Sequence, residues 1–196
     1  MQFYQELTLL PSYDISDNVL WAHVYRQLHI GLASVFNETG MTFGISFPGY
    51  CIAGKNGKEK STLGNKLRIF AEDEKSLEKL DLFKRLAKYE DYIHITKVRI
   101  LPRIKGYAVY SRVHSVKTVA QKARRYAARH DMDVAEAGKL FPKQSQFCAC
   151  PYIQAKSLSN GNDFRLFIKK TIVSDDSPEH SFSVYGLSET SAVPEF

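Results

Sequence analysis

The spacing of apolar residues along the chain spells out alternating strands and helices. Residues 2–10 read as a strand that begins at the N-terminus. Over 17–36, Leu20, Val24, Leu28 and Leu32 recur at helical spacing behind Ser16, a residue type suited to capping a helix. Residues 41–47 are rich in β-formers and stop at Pro48. Between 49 and 65, Gly49, Gly54, Gly57 and Gly64 with several lysines predict a loop. Residues 66–71 alternate like a strand. Residues 74–88 set Leu77, Leu80, Phe83, Leu86 and Ala87 on one face of an amphipathic helix, and 92–100 reads as a strand ending before Pro102.

This β-α-β-β-α-β order predicts an α+β protein whose residues 1–102 form a ferredoxin-like, RRM-like domain, with two helices on one face of four antiparallel strands. After Pro102 the pattern changes. Residues 106–113 predict a strand, 115–130 a helix and 133–140 a shorter helix. Strands follow at 151–157, 163–170 and 181–185, with turns at Asn160-Gly161 and around Asp175–Pro178. Residues 103–196 are therefore expected to form a second domain, a small antiparallel sheet with one arginine-rich helix. No repeat or low-complexity linker separates the halves.

Composition adds little until charge is considered. The chain has 196 residues, 44% apolar and 24% charged, which is ordinary for a globular protein. No apolar run approaches the roughly 18 residues of a membrane span. The first residues lack a basic segment followed by an apolar one, so no signal peptide is expected and a cytoplasmic location is. Cys51, Cys148 and Cys150 include no CxxC pair, which predicts free thiols and no zinc site.

Charge is distributed unevenly. The net charge is +6, yet 92–130 has no Asp or Glu and ten Lys or Arg, leaving the rest of the chain at −4. Such a segment calls for a polyanion, and nucleic acid comes first. Within the 115–130 helix, Val116, Val119, Ala120, Ala123 and Ala127 gather on one side. Lys122, Arg125 and Arg129 stand on the other, flanked by Lys117 and Arg124. Arginine forks suit phosphates and guanine edges. Alanine offers no membrane anchor on the opposite side. A DNA-binding regulator would need a helix-turn-helix spacing that is not evident.

Motifs for common hydrolytic chemistry are missing. There is no HExxH, no P-loop and no GxSxG elbow. What remains is acid–base chemistry without metal or cofactor. RNA permits it, because its 2′-hydroxyl is a built-in nucleophile needing only a base and phosphate donors. Candidates are His29 in the first helix; Ser157, Ser159, Asn160 and Gly161 before a strand; Phe164 and Arg165 after them; and Tyr185-Gly186-Leu187-Ser188. Each alone has a structural reading as a helical histidine or a polar turn.

Taken in order, several segments resemble the type I-F CRISPR-associated endoribonuclease family. They are Leu28-His29, Gly44 through Pro48, Leu63-Gly64, Ser111-Arg112-Val113, the arginine helix ending Arg129-His130-Asp131, Ser157 through Phe167, and Tyr185 through Ser188. The resemblance implies an enzyme that cuts the CRISPR repeat hairpin at the base of its stem, without metal, and stays on the crRNA as a subunit of a guided surveillance complex. It implies that His29 is the general base, that Ser157 holds the attacking hydroxyl and that Tyr185 positions the histidine. Phe164 would stack on the last base pair, Arg112 and His114 would read bases, and Lys122, Arg124, Arg125 and Arg129 would line the groove. The alternative is a non-catalytic RNA-hairpin-binding subunit of a ribonucleoprotein. The chain departs from the family at His114, where Gln is frequent, at Ala128, where Arg is usual, and at its tail, Pro-Glu-Phe in place of Pro-Trp-Phe.

Overall fold

The computed structural model describes residues 1–53, 60–113, 119–141, 149–157 and 161–196; of 119–122 it gives only the helical backbone. Two antiparallel sheets and their helices make a mixed α+β architecture. The first sheet holds β1 (Phe3–Leu9), β2 (Gly44–Ser46), β3 (Lys66–Ala71), β4 (Ile93–Ile95) and β5 (Arg99–Ile100). Its order is β2-β3-β1-β4, with β5 also on β1. The second holds β6 (Gly106–Val113), β7 (Tyr152–Lys156), β8 (Asp163–Val173) and β9 (Val193–Glu195) in the order β7-β8-β6-β9. Both sheets belong to one compact unit, Met1–Val113 with Cys150–Phe196, and share one core that includes Ile45, Ile69, Tyr110, Ile153, Leu166 and Val193.

Helix α1 (Asp17–Thr39) buries Leu20, Val24, Leu28 and Leu32 as their spacing predicts, together with Trp21, Tyr25 and Val35. Ser16 occupies the N-cap position but supplies backbone only: its carbonyl accepts from Val19 and Leu20, and its side chain makes no cap bond. The amphipathic stretch after β3 is not one helix. It breaks into α2 (Glu74–Leu80) and α3 (Leu82–Leu86) at Asp81, followed by a 3-10 turn, Ala87–Tyr92. Asp81 has φ +44°, and its carboxylate accepts from Lys84 N to start the second helix. The break shifts the helical phase, so Leu82 is buried and Phe83, expected in the core, is 53% exposed.

The strand expected at 92–100 is likewise interrupted. Leu7 faces Ile95 whereas Tyr4 faces Arg99, so one extra residue sits between them and makes a bulge. Thr96 fills the gap: its N–H donates to Glu6 O and its Oγ1 accepts from Glu6 N. The strand expected at 181–185 is a turn, because Gly186 donates back to Ser183 O and Ser183 to Leu187 O. The terminal strand is β9, at the β6 edge, where Pro194 can be accommodated. Cys51 is free and Cys150 is disulfide-bonded, which corrects the expectation of free thiols; the lack of a CxxC pair does not exclude a cystine. Among the described residues, no helix is long and apolar enough to cross a membrane.

The second compact unit, His114–Ala149, is built on α4 (Val119–His130) and α5 (Val134–Lys139). Ala123, Ala127 and Ala137 form its small buried cluster, edged by Tyr126, Met132 and Phe141. Residues 115–118 of the expected arginine helix lie outside the described residues.

In the first unit the C-terminus is fastened by Arg68. Its Nε lies 2.8 Å from Glu6 Oε2, its Nη1 donates to Phe196 O at 2.9 Å, and its guanidinium covers the Phe196 ring at 3.7 Å. Burial alone would raise the Glu6 carboxyl, but hydrogen bonds and charge from Arg68 and Lys66 outweigh it and hold the group below its ordinary 4.5. Arg68→Ala is expected to cost about 1–3 kcal/mol at neutral pH through lost charge-assisted hydrogen bonds. A depressed carboxyl stabilises the fold fully above the unfolded value and loses that contribution as pH falls through the folded one. Urea titrations should therefore show the gap between the two proteins narrowing in acid to what the Phe196 contacts contribute; a gap independent of pH would rule out the Glu6 contribution.

Candidate active site

Tyr25 and His29 stand four positions apart on α1, so they share one face of the helix. Both grip the same stretch of backbone. Tyr25 Oη donates to Tyr185 O at 2.7 Å, and His29 Nδ1 lies 2.9 Å from Val184 O. A carbonyl can only accept, so Nδ1 carries the proton and the lone pair of the neutral ring sits on Nε2. Tyr185 then lies flat against the imidazole, with ring centres 4.0 Å apart and planes 5° from parallel. The ring is thus held in plane by a hydrogen bond and along its normal by a stack.

The loop that supplies these groups is fixed on both sides. Ile45 of β2 donates to Gly186 O at 3.0 Å, and Ser188 donates to Tyr110 O of β6 at 3.0 Å. Gly186 has φ +71°, and a Cβ there would lie 2.5 Å from Ile45 Cγ2. Only glycine satisfies both the conformation and the space. Burial pushes the Tyr25 hydroxyl well above the ordinary tyrosine range, with Tyr185 adding to the effect and the Arg112 guanidinium opposing it. Tyr25 therefore stays a donor at any physiological pH.

Arg112, near the end of β6, extends the site. Its guanidinium carbon lies 5.5 Å from the Tyr185 ring centre and 5.1 Å from that of Phe164 on β8. One cation thereby bridges two aromatic faces. Among the described residues no carboxylate lies within ion-pair distance of Arg112, so its charge is available to an anion. Phe164 faces Ala155 across the β7–β8 pair. Two residues beyond Ala155, Ser157 opens the turn, its N–H donating to Asn162 O at 2.9 Å and its carbonyl accepting from Gly161 N at 3.0 Å. A base with a directed lone pair, an available cation and a half-buried aromatic face therefore occur in one contact chain, and Ser157 stands at the turn of the hairpin that carries Phe164. That combination suits proton abstraction beside a phosphate.

Of the residues expected to act, the structure joins His29, Tyr185, Arg112 and Phe164 through direct contacts, and links Ser157 to them through the β7–β8 hairpin. Arg124, Arg125 and Arg129 are exposed on α4, in the second unit. Lys122 lies on α4 with its side chain outside the described residues, and His114, Ser159 and Asn160 lie outside them altogether. Tyr25 was not anticipated, although its four-residue spacing from His29 is a signal. The Val184 carbonyl has no side-chain signature at all.

Comparison with known proteins bears on the same residues. Residues 4–196 match the family model described as CRISPR-associated protein (Cas_Csy4). The chain is 28% identical over 197 residues to the "CRISPR-associated endonuclease Cas6/Csy4" of Pseudomonas aeruginosa (strain UCBPP-PA14), covering all of both chains. It is 29% identical over 199 residues to the protein of the same name from Escherichia coli (strain UTI89 / UPEC), again over the full length of each.

Gly186→Ala is expected to destabilise the protein by about 1–3 kcal/mol, from the left-handed backbone alone, before the Ile45 clash is added. Tyr25→Phe, which removes one hydrogen bond, should cost about 1 kcal/mol. Thermal melting measures both; a Gly186→Ala curve that overlays the wild type would mean that the loop does not need its glycine.

Proposed function

Because the chain belongs to the Csy4 family of CRISPR-associated proteins, we propose that it is an endoribonuclease that binds the CRISPR repeat hairpin and cuts at the base of the stem to release crRNA. The observation that carries this reading is the Nδ1–H of His29 on the Val184 carbonyl, since it leaves Nε2 as the acceptor a general base requires. In this mechanism Nε2 takes the proton of the 2′-hydroxyl, whose oxygen attacks the adjacent phosphorus. The bond to the 5′ oxygen breaks, that oxygen takes a proton from solvent while His29 returns its own to solvent, and the products are a 2′,3′-cyclic phosphate, or the 3′-phosphate after hydrolysis, and a 5′-hydroxyl. No metal or other cofactor takes part.

Ser157 holds the attacking hydroxyl and Tyr185 positions the base. Phe164 stacks on the closing base pair, a contribution of about 1–3 kcal/mol. Arg112 and His114 read bases, and Lys122, Arg124, Arg125 and Arg129 line the groove. Arginine contacts to phosphate make affinity fall with salt, and together they keep the product bound. The enzyme works in the cytoplasm as a subunit of a type I-F crRNA-guided complex. We read residues 1–102 as ferredoxin-like, a reading supported by the order β2-β3-β1-β4. Residues 103–196 we read as the RNA-hairpin-binding part, a division of labour rather than of compactness.

The test is cleavage of a repeat hairpin in EDTA. Wild type should cut. His29→Ala should lose about 10²–10⁴ in rate while binding the hairpin as wild type does. A 2′-deoxy nucleotide just upstream of the scissile phosphate should bind and stay intact. Cleavage abolished by EDTA, or retained on the 2′-deoxy substrate, would exclude this mechanism.

A further inference from the structure

Strand β8 serves two surfaces. Leu166 and Ile168 point into the core with Phe164 on their side, so Arg165, Phe167 and Lys169 point the other way. On this outer face Tyr152 of β7 sits directly opposite Phe167, and Lys156 opposite Asp163. The Tyr152 and Phe167 rings are 5.2 Å apart, and the Arg165 guanidinium lies 4.8 Å over Tyr152. Tyr152 is 42% exposed, and Arg165, Lys156 and Lys169 are exposed. Asp163 is the only opposing charge in β7 and β8.

An aromatic pair on neighbouring strands, layered with arginine and flanked by lysine, is how a sheet takes up unpaired bases: rings and guanidinium planes stack on the bases while ammonium groups meet the phosphates. The interior pairs of a stem cannot use such a face, because they are already stacked on both sides. We propose that the outer face of the β7–β8 pair binds single-stranded RNA flanking the hairpin. This rests on the hairpin-cleavage reading for the identity of the RNA. Phe164 and Arg165 are consecutive residues on opposite faces of β8, so the surface lies one sheet thickness from the cutting site.

The test uses fluorescence anisotropy at one fixed salt concentration with three RNAs: an uncleavable 2′-deoxy hairpin, the same hairpin with a single-stranded flank, and oligouridine. The flank should tighten wild-type binding by about tenfold, one well-stacked base's worth. Tyr152→Ala and Arg165→Ala should erase that gain and leave the bare hairpin unaffected; Tyr152→Phe should keep it. A flank that adds nothing to wild type, or a gain that survives Tyr152→Ala, would overturn the proposal. So would equal weakening of flanked and bare hairpins, which would make Tyr152 a support of the fold. A wild type that binds no hairpin would instead refute the proposed function; oligouridine binding lost in Tyr152→Ala would still uphold the surface.

Discussion

A helix can carry an imidazole anywhere along its length, but it cannot decide which ring nitrogen holds the proton. That decision rests on an acceptor from elsewhere in the chain. Here it is the Val184 carbonyl, 155 residues away in sequence, and the site depends on it. The contact survives only if the 183–188 loop holds still. It is held three times: by Tyr25 from α1, by Ile45 from β2 and by Tyr110 from β6. Two of those anchors come from the N-terminal half and one from the C-terminal sheet. The shared core of the two sheets therefore preserves this contact, because a drift of either sheet would move the carbonyl off the imidazole.

Charge follows a different logic. Among the described residues the site has one available cation, Arg112, set between two rings where burial limits how many charges can be tolerated. Residues 114–149 carry seven Lys or Arg against three acids, a net +4 of the chain's +6. The helices of this unit meet through Ala123, Ala127 and Ala137, residues small enough to let backbones approach while Arg124, Arg125 and Arg129 remain in solvent. Alanine buries little area, so this cluster of described residues contributes little hydrophobic stabilisation. The exposed arginines of α4 and the imidazole of His29 thus belong to different compact units.

The sequence made much of this legible, and the failures have specific causes. The apolar period of α1 gave its buried face, because Leu20, Val24, Leu28 and Leu32 obey one uninterrupted helical repeat. The same rule misplaced Phe83, since the repeat continues across Asp81 while the backbone there turns left-handed to cap a new helix. Phe182, Val184 and Tyr185 look like a strand, and only Gly186 hints that they curl. At the site, residue types and order were legible. The tautomer of His29 was not, because a backbone carbonyl leaves no mark in a sequence. Nor was the outer aromatic pair of β7 and β8, which becomes a pair only once the register sets Tyr152 against Phe167.

The tail shows how an acidic residue is accommodated at the edge of the second sheet. The chain ends Pro-Glu-Phe, and an unpaired carboxylate at a strand edge over the core would be costly. Glu195 is instead fully engaged: Oε1 accepts from the Tyr110 hydroxyl at 2.8 Å and Oε2 from Lys170 Nζ at 2.5 Å. Burial raises the Tyr110 hydroxyl above its usual range and the neighbouring carboxylate adds to it, so the tyrosine remains a donor. Tyr110 is also the residue whose carbonyl receives Ser188 and so steadies the Val184 loop. The glutamate thus draws β9, β8 and β6 together beneath the element that orients His29. Glu195, Lys170 and Tyr110 form one matched set, and the set supports the same carbonyl on which the imidazole depends.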